Sequence, residues 1–218
     1  NETIFQQAHE RYRALLSRYH DRAAVDREFF ATETGNFELY GYGIKGFALN
    51  AIETAIRLTA GRISAAEIRQ ILALAQEMLA HPVELLPGVL ETVAKLAATH
   101  RLIVITKGDL RDQERKMATS GLARHFHAVE ILSEKDRPAY EAVLRRHDLS
   151  PGEFLMVGNS LKSDVLPVLE LGGASAYIPY PLVWHGERVE TAPAGHARFV
   201  QLTNIGELAS AMTRLDSV

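Results

Sequence analysis

Apolar positions along the chain follow two different periods. From Asn1 to His81 the spacing is helical. Ile4, Ala8, Arg11, Leu15, Leu16 and Tyr19 fall on one stripe, with Arg11 as its exposed interruption, and Asn1–His20 is predicted as a helix. Phe47, Ala51, Ile52, Ala55, Ile56 and Leu58 make a second stripe. Ser64 and Glu67 have the spacing of a capping box and precede Ile68, Ile71, Leu72, Ala75, Met78 and Leu79, so a third helix starts there. Between the first two helices lies Gly35–Gly46, a glycine-rich loop with Phe37, Tyr40 and Tyr42 that is too apolar to be plain surface filler.

Beyond this zone, short apolar runs alternate with helical stretches. Pro87-Gly88 opens a helix through Ala98, and Leu102–Thr106 is a continuous apolar run suited to a buried parallel strand. A helix follows through Ser120, ended by Gly121. Ala128–Leu132 reads as a strand, Pro138–His147 as a helix and Phe154–Val157 as a strand. One helix is expected over Leu161–Leu171, stopped by Gly172-Gly173. Two more strands, Ala174–Ile178 and Arg198–Leu202, precede a last helix near Asn204. This alternation predicts an α/β fold, a parallel sheet covered by helices on both faces. In such sheets ligands bind beyond the C-terminal strand ends.

Composition narrows the function classes. Of 218 residues, 47% are hydrophobic and 23% charged, the balance of a soluble globular protein. The net charge of −3 argues against a dedicated nucleic-acid binder, which carries a basic surplus. No apolar run is long enough to span a bilayer, so no membrane association is expected. The chain has no cysteine, which excludes disulfides, zinc thiolates and cysteine nucleophiles and fits a cytoplasmic setting. The nine histidines form no metal-ligand pattern. No Gly-x-Gly-x-x-Gly follows a first strand, against a dinucleotide-binding protein.

Three polar clusters stand at three successive strand ends. Thr106-Lys107-Gly108-Asp109 offers a hydroxyl, a small residue and free helix N–H groups, a set that binds phosphoryl oxygens; a Thr cap with a turn glycine has the same pattern. Lys135, in Ser133-Glu134-Lys135-Asp136, is a charge able to neutralise a phosphate or simply a solvated lysine. Asn159 and Asp164, at the third strand end and one turn on, are hard oxygen ligands of the kind Mg²⁺ takes, or a helix-start Asn with an Asp favoured by the helix dipole. Ser160 reads as a helix cap, since no histidine base follows at a recognisable spacing.

With these clusters in order, the chain resembles the haloacid dehalogenase-like superfamily of phosphohydrolases. Leu102-Ile103-Val104-Ile105-Thr106 looks like the family's second motif, Glu134-Lys135-Asp136-Arg137-Pro138-Ala139-Tyr140 like its third, and Val157-Gly158-Asn159-Ser160-Leu161-Lys162-Ser163-Asp164 like its fourth. Asn159 stands where the family has a first Asp. The family's Asp-x-Asp motif, nucleophile and acid/base in one, follows no apolar strand in this chain. The family's layout puts it on a central strand, between those ending in Thr106 and Asn159, directly before Asn1. The expectation is therefore roughly 10–20 further N-terminal residues carrying that strand.

The resemblance implies a Rossmann-like core, residues 84–218, with an inserted α-helical cap domain, residues 1–83. It implies a Mg²⁺-dependent phosphomonoester hydrolase acting through an aspartyl phosphate on a small phosphorylated metabolite, as a monomer or homodimer. Thr106 and Lys135 would be catalytic and Asn159 and Asp164 would serve the metal. Lys107 and Gly108, with Phe37, Tyr40, Tyr42 and Lys45 of the cap loop, would contact substrate. Two alternatives stay open: a metal-independent haloacid dehalogenase-type hydrolase, and a non-catalytic phospholigand-binding relative lacking the nucleophile. The loop Pro179–Gly195, with Trp184-His185, is an undecided candidate for an active-site edge or a partner contact.

Overall fold

The structure is a computed structural model that describes residues 2–181 and 191–215. Trp184-His185 and most of their loop lie outside the described residues. The chain divides into two compact units. One comprises the residues up to Val83 together with Gly108–Arg115, the other Glu84–Lys107 and the residues from Lys116 onward.

The first unit is helical: α1 (Glu2–Leu16), α2 (Arg22–Gly35), α3 (Phe37–Tyr40), α4 (Ile44–Leu58) and α5 (Ala65–Ala80). The Ser64–Glu67 capping box forms as its spacing predicts. The α1 stripe is rotated relative to the expected one. Tyr12, not its neighbour Arg11, is fully buried among Leu16, Phe29, Phe47 and Ile71, and its hydroxyl donates to the Ala51 carbonyl at 2.8 Å. That bond lets a phenol replace an aliphatic side chain in the core. Arg11 points outward and pairs with Glu77 of α5.

Two features here differ from expectation. Helix α2, not expected as a separate helix, buries only the narrow stripe Val25, Phe29 and Thr32, and is capped by Asp21, which accepts from the Ala24 N–H at 2.8 Å. The segment read as the Gly35–Gly46 loop contains the single-turn helix α3, and α4 already begins at Ile44, behind Gly43 at φ 102°.

The second unit holds α6 (Val89–Ala97), β1 (Ile103–Lys107), β2 (Ala128–Leu132), α8 (Arg137–Arg146), β3 (Leu155–Gly158), α9 (Leu166–Glu170), β4 (Ala174–Tyr177), β5 (Phe199–Gln201) and α10 (Leu208–Leu215). Helix α7 (Leu110–Thr119) has its first residues in one unit and its last in the other. All strand pairs are parallel. β1 pairs with β2 (Ile103 opposite Ala128), and the order β3-β4-β5 makes a second ladder (Leu155 opposite Ala174, Ser175 opposite Phe199). One core gathers Ile105, Tyr140, Val143, Leu144, Phe154, Met156 and Val168, another Leu96, Ala176, Leu202, Leu208 and Ala211. Among the described residues β1 and β3 do not pair with each other. Both line a mostly apolar cavity of about 560 Å³ with residues of α6 and α10.

The stretch expected as one helix over Leu161–Leu171 is instead a π-helical turn, Leu161–Val165, followed by α9. Pro167, in the first turn of α9, has no N–H to extend an α-helix backwards, and the turn before it widens. The last helix likewise opens as a 3₁₀ turn, Ile205–Glu207, capped by Asn204. No helix among the described residues is long and apolar enough to cross a membrane.

Candidate active site

The C-terminal ends of β1 and β3 and the segment after β2 bring together most of the polar residues singled out in the second unit. Lys135 Nζ lies 2.7 Å from Asp164 Oδ1, with side chains 11% and 6% exposed. The second carboxylate oxygen, Oδ2, accepts the Ser160 N–H at 2.9 Å. Ser160 Oγ caps the π turn by accepting from the Ser163 N–H at 3.0 Å, and the Asp164 N–H bonds the Ser160 carbonyl at 2.8 Å. A charged pair this far from water persists only with such partners on both oxygens.

Gly158 makes the arrangement possible. A Cβ there would lie 2.2 Å from Asp164 Oδ2 and 2.3 Å from its Cγ, so the carboxylate occupies the space a side chain would take. Asn159, the next residue, is exposed. Thr106, the penultimate residue of β1, is half-buried, with Oγ1 3.4 Å from the Lys107 carbonyl. Lys107 Nζ donates to Ser163 Oγ at 3.0 Å and lies 3.5 Å from Glu134. Sequence reasoning missed the engagement of Ser163, Glu134 and Tyr140 here. All three lie inside the motif-like segments without a role of their own there, and the Tyr140 hydroxyl donates to the Ser163 carbonyl at 2.9 Å.

The remaining candidates belong to the first unit. Gly108 adopts φ 133°, and Gln113 Nε2 would lie 2.9 Å from a Cβ placed there. Phe37 and Tyr42 meet edge to face, with ring centroids 4.4 Å apart, and Tyr40 is half-buried. Lys45 reaches both carboxylate oxygens of Asp109 at 3.0 Å. Burial pushes the Asp109 carboxyl upward. Lys45 and the N–H groups of Asp112 and Arg111 outweigh that and hold it below the ordinary aspartate range.

Comparison with known proteins places the chain. The family model for haloacid dehalogenase-like hydrolases matches residues 2–172. The chain belongs to the haloacid dehalogenase-like hydrolase family. A family hydrolase from Xanthomonas campestris is 39% identical at a TM-score of 0.88, over 99% of this chain and 86% of that one. A HAD phosphatase from Thermococcus onnurineus (17% identity, TM-score 0.60, 97% and 90% covered) shares the fold. So does a 2-haloacid dehalogenase from Pseudomonas syringae (17%, 0.62, 97% and 91%). No curated protein matches the chain. In this hydrolase the Lys135–Asp164 pair falls within the matched residues.

Proposed function

We propose that this hydrolase is a Mg²⁺-dependent phosphomonoesterase for a small phosphorylated metabolite. The observation that carries the reading is the group at the ends of β1 and β3, where Lys135, largely buried and held by Asp164, stands with Asn159 and the Thr106 hydroxyl. A phosphoryl group brings two negative charges, which a lysine together with a hard cation on the oxygen donors would offset. A haloacid ester intermediate needs less cationic charge and no hard oxygen donors.

Among the described residues no three His, Asp or Glu side chains form a ready metal cluster. Mg²⁺ does not ask for one, since it keeps several waters and takes one or two protein oxygens with those of substrate. The Asp164 carboxylate and the exposed Asn159 amide oxygen fit that donor set. When bound, the ion would neutralise phosphoryl charge as a Lewis acid. In the reading Thr106 and the N–H groups near Gly108 bind phosphoryl oxygens, and Lys135, held by Asp164, offsets charge as it builds on them. The reading leaves the attacking carboxylate and the acid for the leaving alcohol to the family's Asp-x-Asp pair, which is not among residues 1–218. The helical unit is assigned the role of a substrate-selecting cap, with Phe37, Tyr40, Tyr42 and Lys45 as its contacts.

The test is hydrolysis of p-nitrophenyl phosphate with and without Mg²⁺, run beside chloride release from 2-chloropropionate in EDTA. Mg²⁺-dependent phosphate release supports the reading. Metal-independent chloride release replaces it with the dehalogenase alternative, and activity in neither assay favours a ligand-binding relative.

A further inference from the structure

The turn that carries Asp164 is itself held by a further set of groups. Its π-helical geometry is rare and concentrates at functional sites. Ser163, the residue before Asp164, is 4% exposed and engaged on three atoms. Its N–H donates to Ser160 Oγ at 3.0 Å, and its carbonyl accepts the fully buried Tyr140 hydroxyl at 2.9 Å. Its Oγ accepts from Lys107 Nζ at 3.0 Å. The Lys107 side chain is only 12% exposed and has Glu134 at 3.5 Å, so its charge is compensated within the protein. Two lysines thus hold two successive residues of one turn: Lys107, at the end of β1, grips Ser163, and Lys135 grips Asp164.

We propose that Lys107 is a positioning residue that acts through Ser163 to fix the Asp164 carboxylate against Lys135, and is not a ligand of the substrate. The inference rests on the site reading under Proposed function. The Lys107 ammonium is engaged by the Ser163 hydroxyl and by Glu134, and so is turned onto the π turn. Because β1 and β3 share no ladder among the described residues, the Lys107–Ser163 bond ties the end of β1 directly to the turn that follows β3.

The experiment compares Lys107→Met, Lys107→Arg and Ser163→Ala in two readouts. With p-nitrophenyl phosphate and Mg²⁺, Lys107→Met and Ser163→Ala are expected to lower kcat by about 10- to 100-fold, the loss a small misplacement of a catalytic group produces. KM stays within about twofold and Lys107→Arg recovers most of the loss. Adding Lys107→Met to Lys135→Met costs little more, because both act through one pair. A raised KM with kcat retained, or unchanged kinetics, overturns the proposal. The second readout needs no substrate: the exchange rate of the Lys135 ammonium protons by NMR. Lys107→Met and Ser163→Ala are expected to speed it about tenfold as the Asp164 bond loosens. An unchanged rate overturns the positioning role whatever the enzyme hydrolyses. Inactivity of the unaltered protein, with exchange sped in the variants, defeats the phosphatase reading alone. Ser163→Ala keeps the Lys107 charge and its Glu134 partner, so it reports even where Lys107→Met does not fold.

Discussion

Replacing Gly158 by alanine tests the site geometry without touching any charged group. The new Cβ would stand 2.2 Å from Asp164 Oδ2 and 2.5 Å from Asp164 Cβ, where ordinary contacts begin near 3.4 Å. The Asp164 carboxylate has to retreat by about 1 Å or more to restore van der Waals separation. Its two bonds, 2.7 Å to Lys135 Nζ and 2.9 Å to the Ser160 N–H, do not survive such a shift. Breaking a buried ion pair on one side costs about 3–5 kcal/mol, and overpacking alone about 1–3 kcal/mol. Relaxation trades one against the other, so a net loss of about 3–4 kcal/mol is expected. With a urea slope near 2 kcal/mol/M, the midpoint falls by about 1.5–2 M. Gly152→Ala is the control: no atom lies within 4 Å of its Cβ, and its backbone suits any residue. That variant is expected to unfold at the same urea concentration or slightly higher, through reduced freedom of the unfolded chain. A Gly158→Ala midpoint within about 0.3 M of the unaltered protein, at ordinary slopes, would refute the packing of Asp164 over Gly158.

Lys135→Met and Asp164→Asn should each cut aryl phosphate turnover by about 100-fold or more, and turnover in both variants unchanged from the unaltered protein would remove the pair from the chemistry. Tyr140→Phe leaves the Ser163 carbonyl without its donor and is expected to cost about 1–2 kcal/mol by urea titration, with a neutral result denying that bond any net value. Glu130 is held below the usual glutamate range by Arg146, with His147 at 2.7 Å adding to the effect. A depressed carboxyl contributes stability that is full above the unfolded value of about 4.3 and is lost as pH falls through the lower folded one. The stability gap between the unaltered protein and Glu130→Gln should therefore narrow only in that acid window, and a gap constant down to pH 2 would contradict it. Tyr42→Ala removes the edge contact with Phe37 and should change preference among phosphate esters more than aryl phosphate turnover. A flat substrate profile would make the pair simple packing.

The helices with an apolar stripe were legible because their burial is one-sided, and the strands because their apolar runs are continuous. The strand runs at 102–106, 128–132 and 154–157 and the Ser64 box follow from apolar spacing and capping chemistry alone, and the structure has them within a residue or two. Helix α2 was not legible, since a helix with little apolar stripe is specified by its Asp21 cap and by neighbours distant in sequence. Nor was Tyr12. A tyrosine reads as half-polar until a buried carbonyl, here that of Ala51, is known to await its hydroxyl.

The same limit governs the candidate site. Residue types at strand ends mark where charge gathers, and Thr106, Lys135, Asn159 and Asp164 stand out on that ground. What holds them is tertiary and leaves no local signature. A helix over Leu161–Leu171 would continue the i to i+4 ladder past Pro167; the π turn replaces it and frees Ser163 to take Lys107, Tyr140 and Ser160 at once. Gly158, which as a residue type reads only as a turn, is required because Asp164 folds back onto it. The site's specificity of shape thus rests on a glycine, a serine and a tyrosine that have no chemistry of their own in the reaction. Substitutions at those three positions are the ones that separate a site held in register from a mere collection of charges.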